Sequence, residues 1–138
     1  MTDLIEVKTT DLTGLALDWA AGIADGRELE LPSGFRSRTC VVWCDPFVIK
    51  REGHPDFHDK TRRHWKPSCK WENGGPLIEK HMVSLHCPQS TDDVWAGWVI
   101  TDTGEFCQAG DSALIAACRA IVAARLGDTV QVPKELMP

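Results

Sequence analysis

The stretch Asp11–Ala24 decides much of the fold, and its residues read DLTGLALDWAAGIA. Its apolar residues recur every three or four positions, which is the spacing of one buried helix face: Leu12, Leu15, Ala16, Trp19, Ala20 and Ile23. Gly26 follows at a point where a left-handed residue can end a helix. We therefore predict an N-terminal amphipathic helix with Trp19 at the centre of its buried face.

A second stretch of the same kind, Ser112–Leu126, lies near the other end and reads SALIAACRAIVAARL. Asp111 or Ser112 is a suitable N-cap, and Gly127 follows the last apolar residue. The buried face of this helix is predicted to consist of Leu114, Ala117, Cys118, Ile121 and Val122. The chain should therefore have a helix at each end, with Asp128–Pro133 as an extended tail.

Short β-rich segments lie outside and between the two helices. They combine β-branched or aromatic residues with flanking turn formers: Leu4–Val7, Thr39–Trp43, Phe47–Ile49, Met82–Leu85, Val94–Ile100 and Glu105–Ala109. Asp45-Pro46 is expected to interrupt one of them, and Thr101–Gly104 to close a hairpin. Val94–Ile100 is apolar on both faces, which predicts a strand that is covered on both sides or one whose second face meets a loop.

These elements predict an α+β fold, with an antiparallel sheet of about four or five strands packed by the N-terminal and C-terminal helices. A length of 138 residues suits a single domain covering residues 1–138. Arg51–Lys70 has almost no aliphatic residues, no periodicity and two prolines. We therefore expect a long Cys/His-rich loop excursion near residues 50–70.

Charge and the N-terminal sequence argue against several classes of protein. A formal net charge of −5 argues against non-specific binding of nucleic acid, which requires a basic surface. The N-terminus lacks the basic and apolar regions of a secretory signal, and the apolar runs are far shorter than the roughly 20 residues that cross a bilayer. We expect no membrane association and a cytosolic location, where the six cysteines remain free thiols.

The middle of the chain contains many residues that can bind zinc: Cys40, Cys44, His54, His58, His64, Cys69, His81, His86 and Cys87. Cys40 and Cys44 fall in a predicted strand, where four residues span about 13 Å, too far for two ligands of one ion. The sequence also has no Cys-x-x-Cys motif. We predict no bound metal, and keep a zinc-stabilised interaction module as an alternative.

The sequence contains no complete catalytic or cofactor motif. It has neither a Gly-x-x-x-x-Gly-Lys loop nor a Gly-x-Gly-x-x-Gly loop for phosphates. A Cys–His catalytic pair requires a spatial adjacency that a sequence does not show. These observations favour a non-enzymatic protein without a cofactor, although they leave the question of activity open.

Six tryptophans and no tyrosine make the aromatic composition unusual. Trp65 and Trp71 have polar and basic neighbours, so we expect both rings to be exposed, where they could stack on a ligand. The alternative is that they cover the core from loops. Trp71–Pro76 reads WENGGP, which predicts a turn with backbone N–H groups free to bind an anion or a carbonyl.

Three blocks of the sequence carry a family resemblance: Val7–Ala20, Trp71–Glu79, and Ser112–Ala120 continuing to Leu126-Gly127-Asp128 and Val132-Pro133. In this order they resemble the NinX-like family of small tailed-phage and prophage proteins, a family of unknown function. Lys70 is a departure, because the family usually has Asp before the tryptophan. The resemblance implies a phage-encoded protein of the host bacterial cytoplasm and supplies no catalytic residues.

Within these blocks, six residues are candidates for ligand binding, because burial in a core does not readily explain them: Lys8, Asp18, Trp71, Asn73, Gly74 and Gly75. We expect a phage accessory protein that binds a host protein or a small ligand and so modulates a host factor or metabolite. The alternative is a small nucleotide-binding or nucleotide-sequestering protein, or an enzyme, that uses Trp71–Pro76. A homodimer through Thr39–Trp43 is also possible.

Overall fold

The computed structural model describes residues 3–31 and 41–137, with the backbone alone at 45–49 and 57–61. Three helices and eight strands follow one another in this part of the chain: β1 (Leu4–Lys8), α1 (Gly14–Ala24), β2 (Leu29–Glu30), β3 (Val41–Ile49), β4 (Phe57–Trp65), α2 (Trp71–Lys80), β5 (Ser84–His86), β6 (Trp95–Thr101), β7 (Gly104–Gly110), α3 (Ala113–Leu126) and β8 (Thr129–Pro133). Among the described residues, no helix is long and apolar enough to cross a membrane.

The two predicted helices are confirmed as α1 and α3, and they pack against each other. Helix α3 begins after Ser112, whose hydroxyl accepts a hydrogen bond from the backbone N–H of Ile115 at 3.1 Å. Helix α1 begins later than predicted, because Thr9–Asp11 forms a 3-10 turn. Gly26 ends this region with a φ of +77°, as expected.

The centre of the buried face of α1 differs from the prediction. Leu17 is fully buried, whereas Trp19 is half-buried and packs against the edge of the core. The buried residues of α1 include Ala16, Ala20 and Ala21, so the buried face is centred on the side of Leu17 and not on that of Trp19. The core also contains Leu12, Ala16, Ala20, Trp65, Cys118, Ile121 and Val132.

Strands β5, β6 and β7 form an antiparallel sheet that lies on α3. A Cβ on Gly97 would lie 2.6 Å from the carbonyl oxygen of Ala116, so the absence of a side chain permits this close approach. The hairpin at Thr101–Gly104 is confirmed. The prediction that both faces of β6 would be covered is wrong for the described part of the chain, because Ile100 is 69% exposed.

Strands β2, β3 and β4 form a second antiparallel sheet, with β3 in the middle. The predicted interruption at Asp45-Pro46 is wrong, since β3 continues through Pro46, which lies opposite Lys60 of β4. The predicted loop near residues 50–70 is likewise wrong over Phe57–Trp65, which is strand β4. Pairing with β3 satisfies the backbone of this polar segment, and that pairing is not visible in its own sequence.

Strands β1 and β8 form a third sheet, which joins the two ends of the described chain. Leu4 lies opposite Pro133, and Lys8 lies opposite Thr129. The hydroxyl of Thr9 also donates to the carbonyl oxygen of Gly127 at 2.7 Å. The expected extended tail is therefore a paired strand.

The predicted fold class, α+β with antiparallel strands and helices from both ends of the chain, is confirmed. The described strands are distributed over sheets of two, three and three strands, instead of one sheet of four or five. Helix α1 contacts strands β2, β3 and β8, and α3 contacts the sheet of β5, β6 and β7. The helix pair therefore connects the three sheets.

Candidate functional site

A buried carboxylate gathers three basic side chains at the end of α1. Asp25 follows the helix, and its side chain is 1% exposed. Its Oδ1 atom lies 2.8 Å from Nζ of Lys80 and 2.8 Å from Nε2 of His81. Its Oδ2 atom lies 2.7 Å from Nε of Arg27. We call these four residues the Asp25 cluster.

The electrostatics of the Asp25 cluster favour the ionised carboxylate. Burial alone would raise the pKa of Asp25. The hydrogen bonds from Lys80 and His81 and the charge of Arg27 outweigh burial, so the pKa is lowered. The carboxylate of Asp25 therefore stays ionised at neutral pH, and the cluster joins the ends of α1 and α2.

Two tryptophans hold the guanidinium group of Arg27. Its Cζ atom lies 4.0 Å from the ring centroid of Trp43 and 4.3 Å from that of Trp65, which is the range of a cation–π contact. The two rings meet edge to face, with centroids 5.7 Å apart. Because Asp25 also binds its Nε, the position of Arg27 is fixed from three directions.

The expected exposure of the two middle tryptophans is half right. Trp71 is 59% exposed, as predicted. Trp65 is 1% exposed, and its Nε1 donates to the backbone oxygen of Asp18 at 2.9 Å. Its basic neighbours misled the prediction, because successive residues of β4 point to opposite faces of the sheet.

An open groove of about 440 Å³ lies beside the Asp25 cluster. This volume is within the range of small-molecule sites. The groove is lined by Asp25, Gly26, Arg27, Glu28, Trp43, Cys44 and Lys80. It therefore presents an aromatic ring next to charged groups, and we refer to it as the Arg27 groove.

Cys44 is the thiol in the Arg27 groove. It is 3% exposed, and burial together with Glu30 raises its pKa. The thiolate form, which acts as a nucleophile, is therefore disfavoured at neutral pH. This environment suits a packing role for Cys44 better than a covalent one.

Three of the six predicted site residues converge on the segment that links β4 to α2. The Oδ1 atom of Asp18 accepts the backbone N–H of Ser68 at 2.9 Å. The Oδ1 atom of Asn73 accepts the backbone N–H of Lys66 at 2.9 Å. A Cβ on Gly74 would lie 2.5 Å from the carbonyl oxygen of Pro67. These residues hold the linking segment in place.

The carboxylate of Asp18 is an unusual member of this group. Asp18 is 3% exposed, and burial raises its pKa to about 6, although hydrogen bonds from Ser68 and the charge of Lys66 act in the opposite direction. A buried acid with few compensating partners is favoured in its neutral form. Asp18 is therefore poised to titrate just below neutral pH.

The other three predicted site residues lie apart. Lys8 is exposed at the end of β1, where it lies opposite Thr129. Trp71 is at the exposed beginning of α2, and Gly75 has open space at its Cβ position. A binding role for the six residues remains a prediction.

The predicted turn at Trp71–Pro76 is wrong, because these residues form the first half of α2. The backbone N–H groups of Asn73 and Gly74 both donate to the carbonyl oxygen of Lys70, at 3.0 and 2.9 Å. They are not available to grip an anion. Pro76 is the sixth helical residue, beyond the first four positions whose N–H groups lack partners. It therefore removes a helical hydrogen bond to the carbonyl oxygen of Glu72, and contacts with the rest of the protein must offset this cost.

Metal ligands do not cluster in the described part of the chain: no group of three or more His, Cys, Asp or Glu side chains there is placed to hold an ion. Cys40, one of the candidate zinc ligands, lies outside the described residues.

The segment Thr39–Trp43, predicted as a dimer edge, is described only from Val41 onward. Val41 and Trp43 are paired with β4, and Trp43 also with β2. The proposed dimer edge is therefore occupied at these positions.

Comparison with known proteins identifies the family. The family model described as "Bacteriophage P22, NinX" matches residues 8–125. The chain belongs to the NinX family. No curated protein matches the chain.

The NinX match covers the whole Arg27 groove and the Asp25 cluster. It also covers all six residues predicted from the sequence. Strand β8 and the tail residues of the third resembling block lie beyond its end. The groove is therefore part of the region that defines the family.

Sequence reasoning missed the Asp25 cluster. Asp25 and His81 are 56 positions apart, and no local motif connects them. The sequence contains one weak indication. Asp25 and Arg27 flank the glycine that ends α1, and polar side chains at such a position often form hydrogen bonds close to the helix end. Trp43 and Lys80 had no signal of their own.

Proposed function

We propose that this NinX-family protein is a non-enzymatic phage accessory protein that binds a small anionic metabolite of the host cell. The binding site is the Arg27 groove, and the protein acts in the host bacterial cytoplasm. The observation that carries the proposal is the Asp25 cluster, in which the basic side chains of Arg27 and Lys80 share one buried carboxylate.

The charges of the cluster favour an anion. Asp25 is 1% exposed, whereas the side chains of Arg27 and Lys80 are 19% and 61% exposed. An incoming molecule therefore meets the cations before it meets the carboxylate. Glu28 also lines the groove, so the formal charges of the lining balance. The attraction for an anion therefore depends on the exposed position of Lys80, whose ammonium group can make a charge-assisted hydrogen bond to an anionic group.

The aromatic wall of the groove suits an organic ligand. Trp43 is half-buried, with one part of its ring covered by Arg27. The exposed part offers a flat apolar surface of the kind found in small-molecule sites. The groove thus combines an apolar contact with a cationic group, as the binding of a nucleotide, a sugar phosphate or an aromatic carboxylate requires.

Thermal unfolding tests the proposal. The purified protein is heated with nucleotides, sugar phosphates and organic acids at millimolar concentration. A ligand at 100 times its dissociation constant adds about 2.7 kcal/mol to the free energy of unfolding, so a true ligand raises the melting temperature clearly. If no compound does so, the proposal is wrong.

A pair of lysine variants localises the ligand. Lys80→Met removes the exposed cation of the groove, and we expect it to weaken binding about tenfold, because a charge-assisted contact contributes roughly 1.5 kcal/mol. Lys134→Met is the matched control, since Lys134 is exposed near the C-terminal end and does not line the groove. Equal affinity in both variants would place the ligand elsewhere.

A further inference from the structure

Within the described part of the chain, one edge of strand β7 is unpaired. The strand pairs with β6 on one side, and no strand of the described chain pairs with its other side. Thr101 and Gly104 flank the hairpin turn and form a hydrogen-bonded pair. Hydrogen-bonded and non-hydrogen-bonded pairs alternate along an antiparallel ladder, so Glu105, Cys107 and Ala109 do not hydrogen-bond to β6. Their N–H and C=O groups point away from β6.

A side-chain contact supports this direction. The Nη1 atom of Arg119 donates to the carbonyl oxygen of Ala109 at 2.9 Å, so this carbonyl does not point toward β6. A carbonyl oxygen has two lone pairs and can accept a second hydrogen bond. The edge therefore offers backbone donors and acceptors to another strand at Glu105 and Cys107, whereas at Ala109 a second strand would share the carbonyl oxygen with Arg119.

The edge of β7 lacks the features that usually block strand addition. Lysines, prolines and short length protect exposed edges in natural sheets. The long edge strand β4 contains Lys60, Arg62 and Arg63, and β5 has only three residues. In β7, by contrast, Glu105 is the single charged residue among seven, and the strand has neither lysine nor proline.

The outward face of the same sheet is poor in charge. Ile100 is 69% exposed, and its neighbours on this face include Trp98 and Cys107, which lie opposite each other. A solvent-facing antiparallel sheet normally carries polar side chains on its outer face. The face and the edge of β7 are therefore parts of one continuous surface.

We propose that β7 pairs antiparallel with β7 of a second copy of this chain, about a two-fold axis at Cys107. Cys107 is the middle residue of Gly104–Gly110, so symmetric pairing places it opposite Cys107 of the second copy. Glu105 then lies opposite Ala109 of the second copy, and no like charges face each other. A two-fold axis makes the contact self-complementary and closed.

This pairing joins two three-stranded sheets into one of six strands. It involves neither the Asp25 cluster nor the Arg27 groove. The dimer and the proposed ligand site are therefore tested separately, and either can fail without the other.

Sedimentation equilibrium of the full chain under reducing conditions, at concentrations up to about 1 mM, measures the pairing. We expect a reversible monomer–dimer equilibrium. Cys107→Lys places two like charges opposite each other and should weaken the dimer about fivefold. Ala109→Lys, the same change two residues away, faces Glu105 of the second copy and should leave the dimer intact or tighten it.

Disulfide formation provides a second measurement that does not depend on a lysine variant folding well. Oxidation of the wild-type protein with diamide should yield a covalent dimer through Cys107. Cys107→Ser should abolish that dimer, whereas Cys69→Ser and Cys87→Ser, which change two other exposed thiols, should retain it. A monomer throughout the concentration range, or a disulfide dimer that persists in Cys107→Ser, overturns the proposal.

Discussion

Two aspartates of this protein respond to burial in opposite ways. Asp25 is surrounded by basic side chains, which lower its pKa despite burial. Asp18 has backbone and hydroxyl donors from Ser68 and a more distant lysine, and burial raises its pKa to about 6. The compensating charge, more than the burial, decides which form of the acid is stable.

Asp18 therefore makes stability depend on pH. Between the ordinary value of 3.8 and about 6, the folded state binds more protons than the unfolded state. The contribution of Asp18 to stability is complete below pH 3.8 and is lost as the pH rises through 6. The loss amounts to about 3 kcal/mol, since one pKa unit corresponds to about 1.4 kcal/mol.

Asp18→Asn should remove this loss, because an amide oxygen can still accept the N–H of Ser68 and carries no charge. We expect the variant and the wild type to be similar near pH 4, and the variant to be more stable by about 3 kcal/mol at pH 7. Urea unfolding at several pH values measures the difference. A difference that does not change with pH would contradict the explanation, and Asp102→Asn, in an exposed turn, is the control.

At the scale of one element, α2 is a helix that its own sequence opposes. It contains two glycines and a proline within its first six residues, and glycine costs about 1 kcal/mol relative to alanine in a helix. Tertiary contacts offset this cost. Asn73 holds Lys66, Leu77 is 1% exposed, and Lys80 and His81 reach Asp25 at the far end.

Adjacent glycines in α2 should respond differently to the same substitution. The methyl group of Gly75→Ala meets no atom beyond its chain neighbours, but the ring of Pro76 disfavours the helical conformation of a preceding residue with a side chain. This cost opposes the gain in helix propensity of about 1 kcal/mol, so we expect the free energy of unfolding to change little. Gly74→Ala would place its Cβ 2.5 Å from the oxygen of Pro67 and 2.6 Å from a methyl carbon of Leu114. Overpacking of this kind costs about 1–3 kcal/mol.

Thermal and urea unfolding of both variants measure these changes, each variant being the control for the other. A stabilising Gly74→Ala would mean that α2 can move away from the Pro67 segment, and that the close approach is not required.

The range of the interactions determined what could be predicted from the sequence. Helices α1 and α3 are visible in Asp11–Ala24 and Ser112–Leu126 because a helix repeats its pattern locally. Strand β4 could not be recognised in its own sequence, because its backbone hydrogen bonds are made with β3. The turn expected at Trp71–Pro76 failed because local propensity favours a turn there, while contacts with distant residues impose a helix.

The candidate site was harder to predict than the fold for the same reason. Asp25, Arg27, Trp43, Lys80 and His81 come from three separate parts of the chain, and only the packed structure brings them together. Asp18 and Asn73 were predicted as ligand-binding residues, and that role stays a prediction. In the structure both side chains accept hydrogen bonds from the chain's own backbone. A sequence does not distinguish a polar residue that binds a ligand from one that binds the backbone.

At the scale of the whole molecule, the sheet of β1 and β8 joins residues from opposite ends of the described chain. Val7, Val130 and Val132 place their side chains in the core from this sheet. The backbone N–H of Lys134 also donates to the carbonyl oxygen of Asp3 at 2.8 Å. The stability of β1 should therefore depend on β8.

Val132→Ala tests this dependence. Val132 is fully buried, and removing two methyl groups should lower the free energy of unfolding by about 2 kcal/mol. Hydrogen exchange should become faster in β1 as well as in β8. Gln131→Ala, an exposed position of the same strand, should change neither quantity. Unaltered exchange in β1 would show that this strand is held independently of β8.

The pairing of β1 with β8 also sets a time at which the protein can finish folding. Leu4 and Pro133 are synthesised at opposite ends of the described chain, yet they lie opposite each other in one ladder. During translation at about 5–20 residues per second, β1 waits for several seconds without its partner strand. This part of the fold is completed only after residue 133 has left the ribosome, so until then the nascent chain carries an unpaired first strand.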